Sequence, residues 1–144
     1  MGRIIQKGVI LRNHEDETLA NRGFLKPEEV RQLTLDMIVD TGAFHVSLPQ
    51  ALVDQLGLPL IRDDLATMAD NRKVPVKVHN DLTVIIGDRS SIVKCLAKPS
   101  SPNLLGVLVL EDINYIIDPR NECIIPNPNA EPGMVGYEEF HEQD

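Results

Sequence analysis

Aromatic residues are scarce in this sequence, which has three phenylalanines, two tyrosines and no tryptophan. The core must therefore be aliphatic, and branched aliphatic residues favour β-strands. Hydrophobic residues nevertheless make up 42% of the 144 residues. That proportion excludes an intrinsically disordered chain and fits one globular domain with a workable core.

Long apolar runs and basic stripes are also missing. No apolar segment approaches the length that crosses a membrane, and the interrupted opening "MGRIIQKGVIL" is too short for a signal peptide. No stripe of Lys and Arg is present to follow a nucleic-acid backbone. These absences predict a protein with neither membrane nor nucleic-acid partners.

Cysteine is rare, with Cys95 and Cys123 standing 28 residues apart. This spacing matches neither a zinc-binding pattern nor a CxxC redox motif. We expect two free, buried thiols in a reducing compartment, so the sequence predicts a cytoplasmic protein. No metal site and no cofactor is predicted, because the four histidines show no spacing typical of metal ligands.

The net charge of −8 is unevenly distributed along the chain. Residues 121–144 carry six acidic residues and no Lys or Arg, whereas residues 1–120 carry 16 acids and 14 bases. The acidity therefore belongs mostly to the C-terminal end. We predict one domain over residues 1–128, followed by an acidic tail over residues 129–144 that contains Pro and Gly.

Short alternating segments separated by turn residues predict a mainly β fold. Every second residue from Leu33 to Val39 is apolar, so these side chains fall on one face of a strand. A turn at Asp70-Asn71 and another at Gly87-Asp88 predict further hairpins. Strands are expected in the ranges 3–13, 33–39, 65–78, 81–99 and 115–126.

Helices are expected to be few. Pro49 at the start and Gly57 at the end bracket the clearest helical pattern, and a second short helix is predicted after Gly106. Residues 14–32 are polar and rich in turn residues, so we expect a long loop there with one helical turn at residues 27–29. The sum predicts a small closed β-barrel with one or two short helices.

The stretch "TLDMIVDTGAFHVSLP" places Asp40-Thr41-Gly42 directly after an apolar strand. A buried ionised carboxylate is costly unless it is paired or hydrogen-bonded, so this Asp either points to water at the strand end or has a function. A carboxylate that is oriented and partly desolvated can activate water. Thr41 can hydrogen-bond locally, Gly42 permits a backbone conformation that a Cβ would forbid, and Ala43 leaves space above the carboxylate.

The segments "MIVDTGA" and "LLGVLVLEDINYIIDPRN" resemble the retropepsin-like aspartic proteases, with the bacterial single-domain branch as the nearest match. The segments "SLPQALVDQLGLP" and "DPRNECIIPNP" are similar to that branch as well, so the resemblance covers residues 3–128. It implies that Asp40 is the catalytic residue and that residues 41–43 complete the active-site loop. It also implies that Leu104-Leu105-Gly106 packs beneath that loop.

The resemblance further implies where a peptide substrate would lie. The expected contacts are a flap over the site and the apolar pair beneath it: Met68, Ala69, Asp70, Asn71, Leu104 and Leu105. With Ala43, these residues are mostly small or aliphatic, which favours apolar side chains next to the scissile bond. Unlike retroviral relatives, the flap turn contains no glycine, and Asn71 is expected to take its left-handed position.

Aspartic proteases use two carboxylates that share one proton around a water molecule, but this chain has a single Asp-Thr-Gly. We therefore expect a homodimer in which Asp40 of each subunit faces its symmetry mate. Two carboxylates at such a short distance cannot both be ionised, so the pair must keep one proton. An acidic to near-neutral pH optimum is therefore expected. Asp88 and Asp118 also follow aliphatic pairs, but both are interpreted as turn residues.

Other functions stay open on the sequence alone. A dimeric module of the same fold could bind peptides without cutting them, or Asp40 could simply cap a loop in a dimer without activity. His45 could perturb the catalytic pair, although a partly exposed strand histidine is the favoured interpretation. Nucleotide and phosphoryl-transfer chemistry is disfavoured, because no glycine-rich second phosphate loop is present and Gly42 occupies the position of a second phosphatase Asp.

Overall fold

The computed structural model describes residues 3–129. The predicted acidic tail, residues 129–144, lies outside the described residues apart from Asn129. Nine strands and three α-helices occupy the described part of the chain, so the fold is mainly β, as predicted. The strands are β1 (Ile4–Asn13), β2 (Gln32–Val39), β3 (Val46–Pro49), β4 (Leu60–Thr67), β5 (Lys73–Ile86), β6 (Arg89–Lys98), β7 (Leu104–Leu105), β8 (Tyr115–Asp118) and β9 (Cys123–Pro126).

Seven of the strands form one sheet in the order β1-β2-β7-β3-β6-β5-β4, and β1 also pairs with β5. β8 and β9 form a separate two-stranded sheet. Most neighbours are antiparallel, but β7 runs parallel to β2 and β3 runs parallel to β6. The short strand β7 thus lies between β2 and β3, the two strands that flank the Asp-Thr-Gly loop.

The core is aliphatic, as the shortage of aromatic residues predicts. Its fully buried side chains come from six of the nine strands and from two helices, and they include Leu11, Met37, Leu48, Leu56, Leu82, Leu105 and Ile113. The alternation predicted for β2 is confirmed, because Met37 is fully buried while Leu33, Leu35 and Val39 pack against the core. Both cysteines are free; Cys95 is buried and Cys123 is half-buried.

The helices are α1 (His14–Asn21), α2 (Gln50–Leu56) and α3 (Val107–Ile113), and a 3₁₀ turn occupies Pro27–Glu29. The predictions for α2, α3 and the 3₁₀ turn are confirmed. Gly57 ends α2 in the left-handed conformation, with a φ of 65°. The prediction of one or two short helices is wrong in number, because α1 lies in the segment predicted as loop.

Helix α1 is stabilised by its N-cap and by an ion pair between the buried Asp16 and the half-exposed Arg31. The Asn13 side chain accepts a hydrogen bond from the Asp16 backbone N–H (3.0 Å) and so caps the helix. Asp16 is buried and accepts two bonds from the Arg31 guanidinium, at 2.8 and 3.0 Å. These contacts bind a polar helix to the start of β2. The sequence of α1 has no apolar periodicity that would predict a helix.

Strand β5 differs from the prediction in its continuity. Residues 65–78 and 81–99 were expected to contribute separate strands, but β5 runs unbroken from Lys73 to Ile86. The register against β6 shifts between His79 and Leu82, and Asp81 has a φ of 60°. A bulge of this kind bends a strand without ending it, so one long strand joins the hairpin with β4 to the hairpin with β6.

Candidate active site

Asp40 directly follows the last residue of β2 and is half-buried. β2 pairs with β1 on one side and with β7 on the other, where Val39 lies opposite Leu105. The Asp40 backbone N–H donates to the Leu105 carbonyl at 2.9 Å. The ladder between the strands therefore continues to the first residue of the loop, which fixes where the carboxylate emerges.

The Asp40 side chain itself helps to fold the loop. Its Oδ1 accepts a hydrogen bond from the Gly42 N–H (2.9 Å), and its backbone carbonyl accepts one from the Ala43 N–H (3.2 Å). A Cβ on Gly42 would lie 3.3 Å from that same Oδ1, so glycine leaves the carboxylate uncrowded. Thr41 is exposed. Its hydroxyl has no hydrogen-bond partner among the described residues, so the local bond suggested for it from sequence is not made there.

The loop is held from below by β7 and the start of α3. The Val107 N–H donates to the Ala43 carbonyl at 2.9 Å, and the Leu108 N–H donates to the Phe44 carbonyl at 3.1 Å. These N–H groups have no partner within their own helix, so the loop carbonyls satisfy them. A Cβ on Gly106 would lie 2.4 Å from the Phe44 carbonyl carbon, which makes this close approach possible only for glycine.

Asp40 lines a cavity of about 530 Å³. Strands β1, β2 and β7, the Asp-Thr-Gly loop and the β8–β9 hairpin supply its walls. The lining residues are Arg3, Ile4, Ile38, Val39, Asp40, Thr41, Pro102, Leu104, Ile117, Pro119 and Glu122. The walls are mainly apolar, with Arg3 and Glu122 as the charged groups besides Asp40.

The residues predicted to bind substrate are separated in the structure. Leu104 lines the cavity, whereas Leu105 is fully buried, so its side chain belongs to the core and its carbonyl holds Asp40. Residues 68–71 form the turn of the β4–β5 hairpin and do not line this cavity. Asn71 has the left-handed conformation predicted for it, with a φ of 66°.

Several cavity residues were missed by the sequence analysis. Ile38 lies on the face of β2 opposite to the core positions and pairs with Leu104 across the ladder. Its apolar character on that face was the one available signal. Ile117 and Pro119 lie more than 75 residues from Asp40 along the chain, and no local pattern connects them with the loop.

Asp88, Asp118 and Cys95, the other groups considered from the sequence, do not line the Asp40 cavity. Asp118 accepts a hydrogen bond from the Asn121 side chain (2.8 Å), and Asp88 lies exposed in the turn between β5 and β6. Burial raises the pKa of the Cys95 thiol to about 12, so this group is not a nucleophile near neutral pH. Within residues 3–129, no three His, Cys, Asp or Glu side chains are grouped as metal ligands would be.

His45 lies half-buried just before β3 and outside the Asp40 cavity. Burial lowers the pKa of His45, and the nearby cations Lys94 and Arg62 lower it further. The imidazole is therefore neutral at physiological pH.

A strand-end Asp-Thr-Gly loop lies above the short strand Leu104–Leu105 in a mainly β domain, an arrangement like that of the aspartic proteases. A family model described as aspartyl protease matches residues 27–109, which is more than half of the chain. The chain therefore belongs to the aspartyl protease family, of the retropepsin-like kind. A search of curated proteins found no match. In the part of the chain that the structure describes, no helix is long and apolar enough to cross a membrane.

Proposed function

We propose that the protein is a homodimeric aspartic endopeptidase in which Asp40 of each subunit contributes one of two catalytic carboxylates. The observation that carries this proposal is the half-buried Asp40, fixed by the loop and by β7, which lines a mainly apolar cavity. Membership of the aspartyl protease family supports peptide-bond hydrolysis as the reaction. One Asp-Thr-Gly per chain supports a dimer, since the reaction needs two carboxylates.

In the proposed mechanism a water molecule lies between the two Asp40 carboxyl groups, which share one proton. The ionised carboxylate takes a proton from the water molecule while the water oxygen attacks the peptide carbonyl carbon. The protonated partner donates a hydrogen bond to the carbonyl oxygen, which stabilises the charge that develops there. When the C–N bond breaks, a carboxyl proton passes to the leaving nitrogen and the shared-proton state returns.

We also propose that the large sheet closes into a small barrel. The pairing of β1 with β5 joins two strands that lie near opposite ends of the sheet order, which supports closure. A closed barrel has no free edges among its paired strands. β4 continues beyond this ring as the outer strand of a hairpin, consistent with a flap that projects over substrate.

The substrate is proposed to be a peptide with apolar side chains next to the scissile bond. Ile38, Leu104 and Ile117 line the cavity at Asp40 and would contact such side chains. Burial of one aliphatic side chain contributes about 1.5–3 kcal/mol, enough to select apolar residues over charged ones.

The test is cleavage of a peptide library by the wild type and by Asp40→Asn, with products identified by mass spectrometry. Asp40→Asn keeps the loop geometry but removes the ionisable group, so we expect cleavage to disappear. Asp88→Asn makes the same chemical change in an exposed turn and should cleave like the wild type.

Cleavage by Asp40→Asn at the wild-type rate would contradict the proposal. Peptide binding without cleavage by the wild-type dimer would instead favour the non-catalytic peptide-binding module. Glu122 is the other carboxylate of the cavity, and loss of all turnover in Glu122→Gln would point to an acidic pair within one subunit.

A further inference from the structure

A second, smaller cavity of about 180 Å³ lies away from the one that Asp40 lines. The β4–β5 hairpin, strand β6 and the residue that precedes β3 enclose it. Its polar lining consists of His45, Arg62, Asp64 and Lys94. Apolar residues complete the walls, and two of them, Val76 and Val78, are only 4% and 3% exposed. A cavity of this volume has room for one side chain but not for a folded segment.

The strand register brings the polar groups to one face. Arg62 lies opposite Val78, Val78 lies opposite Leu96, and residues two apart on a strand share a face. Lys94 and Asp64 therefore lie on the same side as these three. His45 enters from the Asp-Thr-Gly loop, since it stands five residues after Asp40 and one before Val46, the partner of Cys95. The cavity thus adjoins the segment that carries the catalytic carboxylate.

The charges in the cavity favour an anion. Arg62 pairs with Asp64 (Nε to Oδ2, 3.3 Å), but both side chains are about half exposed, and such pairs are weak and exchange readily with solvent or ligand. Lys94 makes no hydrogen bond or salt bridge with any residue that the structure describes. His45, held neutral by burial and by the two cations, adds a hydrogen-bonding nitrogen without a charge. The cavity carries one excess positive charge in a chain whose net charge is −8.

We propose that this cavity is a specificity subsite that accepts an Asp or Glu side chain of the substrate, at a position beyond the two residues next to the scissile bond. The inference rests on the proposed peptidase function. The apolar stem of a glutamate would pack on Val76 and Val78, and its carboxylate would meet Lys94 and Arg62. The apolar cavity at Asp40 would take the residues at the bond itself, so the two cavities read different positions of one peptide.

The experiment uses fluorogenic peptides with an apolar pair at the scissile bond. Glu or Gln is placed in turn at the second, third or fourth position on either side, and kcat/KM is measured. At one position the wild type should prefer Glu over Gln by about two- to fivefold, the range expected of a partly exposed charge contact. Lys94→Gln should bring that ratio close to one, and added salt should reduce it in the wild type.

Lys77→Gln is the matched control. Lys77 lies in the same hairpin but points to the other face, where it pairs with Asp63 at 2.7 Å and does not line the cavity. The Glu preference should survive in this variant. Equal cleavage of Glu and Gln peptides at every position by an active wild type would overturn the subsite while leaving the peptidase function intact, and so would equal losses of preference in Lys94→Gln and Lys77→Gln.

If the wild type cleaves none of the peptides, the proposed function fails and binding decides the subsite. Fluorescence anisotropy of the same labelled peptides then compares wild type with Lys94→Gln. A Glu preference that Lys94→Gln removes supports the subsite in a binding module, and absence of a preference overturns it.

Discussion

At the residue scale, two glycines of the site experience different restraints. A Cβ on Gly106 would collide with backbone atoms of Phe44 and His45, at 2.4–2.5 Å, and backbone cannot move aside cheaply. A Cβ on Gly42 would meet only the Asp40 carboxylate, at 3.3 Å. Gly106 therefore limits the packing of the loop on α3, whereas Gly42 limits the position of the Asp40 carboxylate.

We predict that Gly106→Ala lowers the free energy of unfolding by about 1–3 kcal/mol or more, because overpacking forces the loop away from α3. Urea denaturation followed by circular dichroism measures this loss. Gly42→Ala is the control, with a smaller loss of stability and a loss of cleavage rate, since it shifts the Asp40 carboxylate. A Gly106→Ala variant as stable as the wild type would refute the close approach of loop and helix.

At the scale of elements, two carboxylates hold α1 in place: Glu17 accepts a hydrogen bond from Thr83 of β5 (2.6 Å), and Asp16 binds Arg31 just before β2. Asp16 accepts hydrogen bonds from the Arg31 backbone N–H (3.0 Å) and from its guanidinium. The hydrogen bond with the Arg31 side chain is the main reason why the pKa of Asp16 lies below its ordinary value. An Asp with a lowered folded-state pKa stabilises the fold above its unfolded pKa, about 3.9, and that stabilisation is lost as pH falls through the folded-state value.

We predict that Asp16→Asn lowers the free energy of unfolding by about 1–2 kcal/mol at pH 7, a charged hydrogen bond discounted for the half-exposed Arg31. The difference from wild type should shrink below pH 4, and denaturation at pH 7, 5 and 3 measures it. Asp63→Asn breaks an exposed pair with Lys77 and should cost less than about 1 kcal/mol. A difference that stays constant to pH 3 would contradict this origin.

The same elements show how much of the fold can be predicted from the sequence. β2 and α2 were predictable, because alternation in β2 and the Pro49–Gly57 boundaries are local signals. α1 was not, since its one buried residue is charged and its carboxylates contact Arg31 and Thr83, which are distant in sequence. The Asp40 loop was predictable from its triplet and the preceding strand. Ile117 and Pro119 were not, because the β8–β9 hairpin reaches the cavity only through tertiary packing.

At the scale of the whole molecule, two apolar side chains lie exposed beside the Asp-Thr-Gly loop. Phe44 is 69% exposed and Leu108 is 40% exposed, and a backbone hydrogen bond joins the two residues (3.1 Å). An exposed apolar patch at a site with one carboxylate per chain is what a two-fold contact would cover. This supports an interface at the loop, where the partner subunit completes the proposed site.

Mixing active and inactive subunits tests whether two chains make one site. Wild type held at a fixed concentration is incubated with a tenfold excess of Asp40→Asn until subunits exchange. If subunits pair at random, about nine in ten wild-type chains enter mixed dimers with one catalytic carboxyl, so cleavage should fall to about a tenth. Asp88→Asn at the same excess is the control. Every dimer that it forms keeps two Asp40 carboxyl groups, so the cleavage rate should rise. Unchanged cleavage in the presence of Asp40→Asn would mean that each subunit works alone, since a complete site within one chain is indifferent to its neighbours.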